Sequence, residues 1–414
     1  MINNVPPEVL VNIFSSLQHY VYRLVCQKWR KIVPIKLSYI NDEILEAYRN
    51  SIVSLDLSSK SDFNNLHTMG YLKELSIYDS FNLHAMTIST IQSLEIVNVY
   101  NNSITSNDLI PLTNLRELHI NYVNINMELS KLTNLVKLEK LSIRGCNDLD
   151  SGSLVKLENL QTLDMENVHS KSLSIILLLT NLTKLNMSDN NWIEYSHVNL
   201  LHNLNYLSIK HINAKNWNIH RMTNLRSLIL CKNRHITNAG ISGLTNLSTL
   251  HIENSCGITD FGLSNLTNLT KLDLTKNIRI TAFGLVGLTN LRSLNLSHNS
   301  KVQNIALKYL TNLTELDLSS NKLITGFAVK NLTKLTTLNL TKNRKVNDID
   351  IMRLYNIEYL ILENNNRITF ISIAHMTKLR RLHLSGSYLR DFLCEKSDRV
   401  DKLLRRFEYL RIIQ

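Results

Sequence analysis

The chain has 414 residues, 44% of them hydrophobic and 19% charged, with 46 Lys and Arg against 34 Asp and Glu for a net charge of +12. That apolar content excludes an intrinsically disordered chain, and no apolar run approaches the roughly 20 residues of a membrane-crossing helix. The cation surplus reads as a Lys-rich soluble surface rather than a nucleic-acid track, because Asp273, Glu315, Asp317 and Glu363 interrupt the outward cations.

At the N-terminus, "MINNVPPEVL" has no basic stretch and no long apolar core, so it is not read as a secretory signal. Val9, Leu10, Ile13, Phe14 and Leu17 then fall on one face of a helix, with Pro6, Pro7 and Glu8 where helix-start residues belong. Val21, Leu24, Val25, Trp29 and Ile32 form a second helical set that Pro34 stops. About thirty residues cannot hide this much apolar surface on their own. The predicted hairpin therefore either caps the rest of the chain or docks on another protein.

A repeat then dominates the chain. "LTKLDLTKN" at Leu269, "LRSLNLSHN" at Leu291, "LTELDLSSN" at Leu313 and "LTTLNLTKN" at Leu335 each begin 22 residues after the last. Followed outward, the phrase LxxLxLxxN recurs sixteen times, its first apolar residue running from Ile52 and Leu72 to Ile357 and Leu379. The alternating LxL predicts a short strand with two inward side chains. Asn at the ninth place (Asn190, Asn233, Asn277, Asn299, Asn321, Asn343, Asn365) is placed to bond the turning backbone. The next stretch of the repeat, "IT..GL..LTNL", returns as a short helical or irregular segment. One unit cannot bury its apolar face alone, whereas stacked units share a core. Sequons such as Asn268-Leu-Thr are by-products of the repeated LTNLT.

The pattern resembles the leucine-rich-repeat family, in its short 22-residue form. The resemblance implies an α/β solenoid: a horseshoe with a concave parallel β-sheet, here preceded by a small α-helical hairpin. The expected organisation is a helical domain at 1–48, a solenoid of about sixteen units at 49–395 and a C-terminal cap at 396–414. For that cap, "VDKLLRRFEYLRII" breaks the period and carries apolar residues at helical spacing.

No catalytic constellation, phosphate-cradling loop or metal-spaced Cys/His set is present, so the chain reads as a non-enzyme with no cofactor. Five scattered cysteines (Cys26, Cys146, Cys231, Cys256, Cys394) read as reduced thiols of a cytosolic or nuclear protein. The outward fifth place is polar almost throughout, with Ile229 and Ile361 as exceptions. In the earlier repeats, Tyr78 and Tyr100 share one outward place and Tyr122 lies one residue on in the next, predicting an aromatic row. His119, Arg144, Asp164, Glu166, Lys210 and His211 continue the departure from the repeat consensus. Tyr and Arg are the residue types that dominate binding surfaces. Tyr78, Tyr100, His119, Tyr122, Arg144, Glu166 and His211 are accordingly the candidate substrate-binding residues.

The leading segment carries a second resemblance. Val5-Pro6-Pro7-Glu8, Ile13-Phe14-Ser15-Ser16-Leu17 and Val25-Cys26-Gln27-Lys28-Trp29-Arg30 match, in order, the motif of the F-box family. Val5 stands where Leu is usual, the stretch from Leu17 to Val25 is shorter than usual, and the usual acidic residue is missing. The resemblance implies docking on the adaptor of the SCF (cullin–RING) ubiquitin ligase, with the repeats holding a target protein. It makes Pro6, Leu10, Ile13, Phe14, Leu17, Val25 and Trp29 the adaptor-facing candidates. The implied partners are that adaptor, through it the cullin, and a protein substrate, with neither membrane nor nucleic acid. The alternative is a free-standing repeat scaffold whose hairpin is only a cap.

Overall fold

The computed structural model describes the array from Ile52 to Ser385, apart from residues 59–65, 67–68, 79–84, 101–103, 123–128, 147–153, 169–177, 191–200, 213–218 and 256. It also describes two short strands, Ile35–Leu37 and Arg411–Ile413. The predicted hairpin and all seven adaptor-facing candidates lie outside the described residues. The chain forms two compact units, Met1–Glu194 and Tyr195–Gln414.

Each phrase of the sequence yields one strand. In the first unit, β1 (Ile35–Leu37) is followed by β2 (Ile52–Ser58), β3 (Glu74–Tyr78), β4 (Ile96–Tyr100), β5 (Glu117–Asn121), β6 (Lys140–Ser142), β7 (Thr162–Asp164) and β8 (Lys184–Asn186). Each is parallel to the next. In the second, β9 (Tyr206–Ser208), β10 (Ser227–Ile229), β11 (Thr249–His251), β12 (Lys271–Asp273), β13 (Ser293–Asn295), β14 (Glu315–Asp317), β15 (Thr337–Asn339), β16 (Tyr359–Ile361), β17 (Arg381–His383) and β18 (Arg411–Ile413) do the same. The register stacks like on like, so that Leu250, Leu272, Leu294 and Leu316 form one buried column. Short helices such as Asn238–Ile241 and Asp260–Leu263 form the return, burying Ile241 and Leu263.

Two short strands lie within the segments assigned to the helical domain and to the cap. Ile35–Leu37, within the segment assigned to the helical domain, is a strand on β2. Arg411–Ile413, assigned by its spacing to a helical cap, is a strand on β17. An edge strand offers a row of unpaired amides and carbonyls, and paired Ile residues suit a strand. At these three residues backbone pairing with that edge holds the chain extended, and the rest of the predicted cap lies outside the described residues.

The ninth-place asparagines make the ladder their position predicts. Asn277 Nδ2 donates to the carbonyls of Ser255 (3.1 Å) and Ile252 (3.3 Å), and its Oδ1 accepts from the amides of Arg279 and Ile280 (2.9 Å each). Asn299, Asn321, Asn343 and Asn365 repeat the arrangement. Where the place holds Ser255, its Oγ keeps one arm, donating to the Leu230 carbonyl at 2.7 Å. Cys146 keeps a weaker one through Sγ to the Ile120 carbonyl at 3.2 Å.

A second ladder is built by the asparagines of LTNL. Asn268, Asn290 and Asn312 each donate Nδ2 to the carbonyl 23 residues earlier, at 2.9 to 3.1 Å. Lys334 and Lys378 replace this Asn and instead donate Nζ to Oδ1 of Asn312 and Asn356, both at 2.7 Å. These asparagines therefore have a structural reason that needs no glycan.

The turn into the ninth place is left-handed in both units, with φ between 49° and 62° at the eighth. Tyr122, Asn167, Asp189, Lys232, Lys276 and Lys342 all adopt it, at a cost of roughly 1 kcal/mol each relative to Gly. The conformation aims the eighth amide at the next repeat, as in Lys276 N to the Ser297 carbonyl at 3.0 Å.

Candidate functional site

The outward face of each sheet is where the repeat leaves residue choice free. In the first unit the fifth place forms one registered row: Asp56, Ser76, Asn98, His119, Ser142, Asp164 and Asn186. The seventh place flanks it with Tyr78, Tyr100, Asn121, Arg144 and Glu166.

Two of the predicted aromatics meet. The Tyr78 and Tyr100 rings stack with centroids 4.9 Å apart and planes within 6°, an arrangement worth about 1 kcal/mol beyond its buried area. Burial, and then the Asp56 charge, push the Tyr78 hydroxyl above its usual pKa. The row ends there. Asn121, not Tyr122, faces Tyr100 in register. Tyr122 occupies the left-handed eighth place, and its ring lies against Gly145, where an added Cβ would come within 2.4 Å of the ring. The expectation of a three-ring row is thus corrected: one residue along the chain at a strand end rotates the side chain out of the face.

Beyond the tyrosines lies a charged cluster. His119 Nε2 is 3.7 Å from Glu117 Oε2, and Glu117 accepts from Lys140 Nζ at 2.6 Å. Arg144 is paired with Asp164 through Nη2, and its Nε is 3.9 Å from Glu166 Oε2. Asn186 Nδ2 donates to Asp164 Oδ1 and Glu166 Oε2 at 3.1 Å each. The hydrogen bond that Arg144 donates to the Asp164 carboxylate holds its guanidinium above its ordinary pKa. A fixed guanidinium between two carboxylates suits recognition of a polar protein surface, since its side chain is already ordered before a partner arrives.

The first unit therefore brings Tyr78, Tyr100, His119, Arg144 and Glu166 onto one face and leaves Tyr122 at its rim. His211 belongs to the second unit and takes the left-handed turn place, not a strand place. Asp164 and Asn186 organise the cluster; Asp164 already stands out from the repeat consensus, whereas the sequence signals Asn186 only through its fifth-place periodicity.

The second unit has its own face. His251, Asp273, Asn295, Asp317, Asn339 and Ile361 line a shallow hollow of about 290 Å³. Burial pushes His251 below its usual value of 6.5, with Asp273 at 3.9 Å pulling the other way. The folded state thus favours the neutral ring, and the unfolded chain binds more protons between the two pKa values. This contribution is complete above about pH 6.5 and is lost as pH falls below it. His251→Gln should flatten that share of the pH–stability curve, measured by urea unfolding at mildly acid and neutral pH. An unchanged slope would remove His251 as its source.

Solved structures share the fold. A leucine-rich-repeat protein of Leptospira interrogans superposes with a TM-score of 0.51 at 21% identity, over 92% of this chain and 100% of that one. The mouse RP105/MD-1 complex includes a chain that superposes with a TM-score of 0.57 at 20% identity, over 86% of this chain and 66% of that one. The array is a leucine-rich-repeat solenoid. No protein-family model and no curated protein sequence matches the chain. The leucine-rich repeats supply the frame, and the departures from their consensus supply the candidate site.

Proposed function

We propose that this chain is a non-enzymatic protein-capture scaffold that serves as a substrate-recognition subunit of an SCF ubiquitin ligase. The observation that carries the reading is the F-box-like series Val5 to Arg30 standing directly before the repeats. The first-unit face with Tyr78, Tyr100, His119, Arg144 and Glu166 supports the capture half of it, because hot spots favour such residues. The chain performs no chemistry of its own in this reading. It holds a target close to a charged ubiquitin carrier, and proximity supplies the rate. The place of action is the cytoplasm or nucleus.

The test is capture of the SCF adaptor by the full chain. Wild type should retain it, and Phe14→Asp should weaken retention about a hundredfold, the scale of losing one buried aromatic anchor. Equal retention by a folded Phe14→Asp variant, or none by wild type, would sink the ligase reading. A second reading keeps the scaffold without the ligase. It is favoured by the pairing of β1 with β2, which ties the chain just after the hairpin to the first repeat. Under it, deleting residues 1–34 lowers the melting temperature of the array and no adaptor is recovered.

A further inference from the structure

Six side chains hold one and the same place in six consecutive repeats of the second unit. They are Phe261, Phe283, Ile305, Phe327, Ile349 and Ile371, each 22 residues from the last. All are large and apolar, and they are exposed to between 49% (Ile305) and 86% (Phe283). Two residues on, Leu263, Leu285, Leu307, Val329, Ile351 and Ile373 are buried in the core. The inward place therefore serves folding and the outward place does not. A single exposed apolar residue is ordinary, but the same solvated place filled six times with Phe or Ile marks a contact surface.

Cations accompany the row. Arg279, Lys301, Lys345 and Arg367 stand four residues before Phe283, Ile305, Ile349 and Ile371, and Lys322 stands five before Phe327. All five are exposed, and none takes part in an ion pair among the described residues. Lys330 Nζ lies 4.6 Å from the centre of the Phe327 ring. The return segments 234–247, 256–269, 278–291, 300–313, 322–335, 344–357 and 366–379 hold twelve Lys and Arg but only three acids, Asp260, Asp348 and Asp350. Those acids are already engaged. Asp260 accepts from Thr281 N and Oγ1 (2.7 and 2.6 Å), Asp348 from Thr369 N and Oγ1 (2.8 and 2.6 Å), and Asp350 from Asn347 N (2.9 Å).

We propose that this return-segment face of the second unit docks on an anionic lipid surface. The apolar row would enter the boundary between headgroups and acyl chains, and the flanking cations would meet lipid phosphates and carboxylates. A ring as exposed as Phe283 is a free-standing knob, not the floor of a groove. A rigid protein partner would need a matched cavity for each knob. A lipid interface accepts Phe and Ile alike, as the interchange along the row does. A row recurring every 22 residues leaves no apolar run in the sequence, so the lack of a spanning segment does not bear on contact with a membrane surface. The inference is independent of the ligase reading.

The test is co-sedimentation of the full chain with vesicles of phosphatidylcholine alone or enriched in phosphatidylserine. Wild type should sediment with the serine-lipid vesicles and remain soluble with the neutral ones. The triple variants F261S/F283S/F327S and R279Q/K301Q/K345Q should each bind about a hundredfold more weakly, with unchanged melting curves because the altered side chains are exposed. Wild type staying in solution with both vesicles overturns the proposal, as does either triple variant binding like wild type. So does analytical ultracentrifugation that finds a self-associated wild type and a monomeric F261S/F283S/F327S, since the row would then be covered by a second copy.

Discussion

Replacing Asn321 by Ala should lower the stability of the second unit by roughly 4 kcal/mol, the sum of several buried polar groups left without partners. Asn321 is 1% exposed. Its Nδ2 donates to the carbonyls of Leu296 (3.0 Å) and Asn299 (3.2 Å), and its Oδ1 accepts from the amides of Leu323 (3.0 Å) and Ile324 (2.9 Å). Alanine removes all four arms. Asn321→Ser should cost less than Ala, because Ser255 shows that a hydroxyl at this place still reaches the carbonyl 25 residues back. Asn321→Asp should be at least as damaging as Ala, since a carboxylate would face two carbonyl oxygens in a buried site. Urea unfolding with an unchanged m-value measures the differences. A loss under about 1 kcal/mol for Ala would mean that the ladder holds nothing the core does not already hold.

Leu272→Ala should cost roughly 3 kcal/mol, the usual range for deleting a fully buried Leu side chain where the surroundings cannot collapse. Leu272 is 0% exposed and registered between Leu250 and Leu294, and both neighbours are fixed by the same backbone pairing that places it. That pairing resists closure over the cavity. Contacts in a repeat array run only to the adjacent units. Hydrogen exchange should therefore rise most across β11 to β13 and least at β17. A uniform rise over the whole second unit would show that it opens as one body.

The frame was legible because it obeys a period. The 22-residue recurrence of LxxLxLxxN placed β2 to β17 correctly, and the ninth-place Asn announced its own ladder. What escaped the sequence lies where position along the repeat and direction in space part company. Tyr122 is one residue past Asn121, and the left-handed turn sends it to the rim. His211 is misplaced for the same reason. The charged cluster was half visible: Arg144, Asp164 and Glu166 stood out, but the bridging Asn186 looked like any consensus polar residue. The exposed Phe and Ile row is hidden in the sequence because its Phe residues look like core, and only burial shows that the residues two places on are the inward ones. At Arg411–Ile413, residues with helical spacing in the sequence pair with an open sheet edge as a strand.

The asparagine ladder also bears on how the chain finds its register while folding. The repeats beginning at Leu269, Leu291, Leu313 and Leu335 present nearly the same inward leucines, the same left-handed turn and the same side-chain donors at the same offsets. A segment that skipped one repeat would find almost every partner waiting, so an off-by-22 docking is a deep trap in such an array. Only the exceptions tell the copies apart. Ser255 with its single arm, the 21-residue interval between Leu204 and Leu225, and Ile229 in place of a polar residue make neighbouring repeats unequal. These irregularities act as landmarks along an otherwise uniform rail, and a version of the chain with every repeat brought to consensus would gain stability while losing the means to tell one rung from the next.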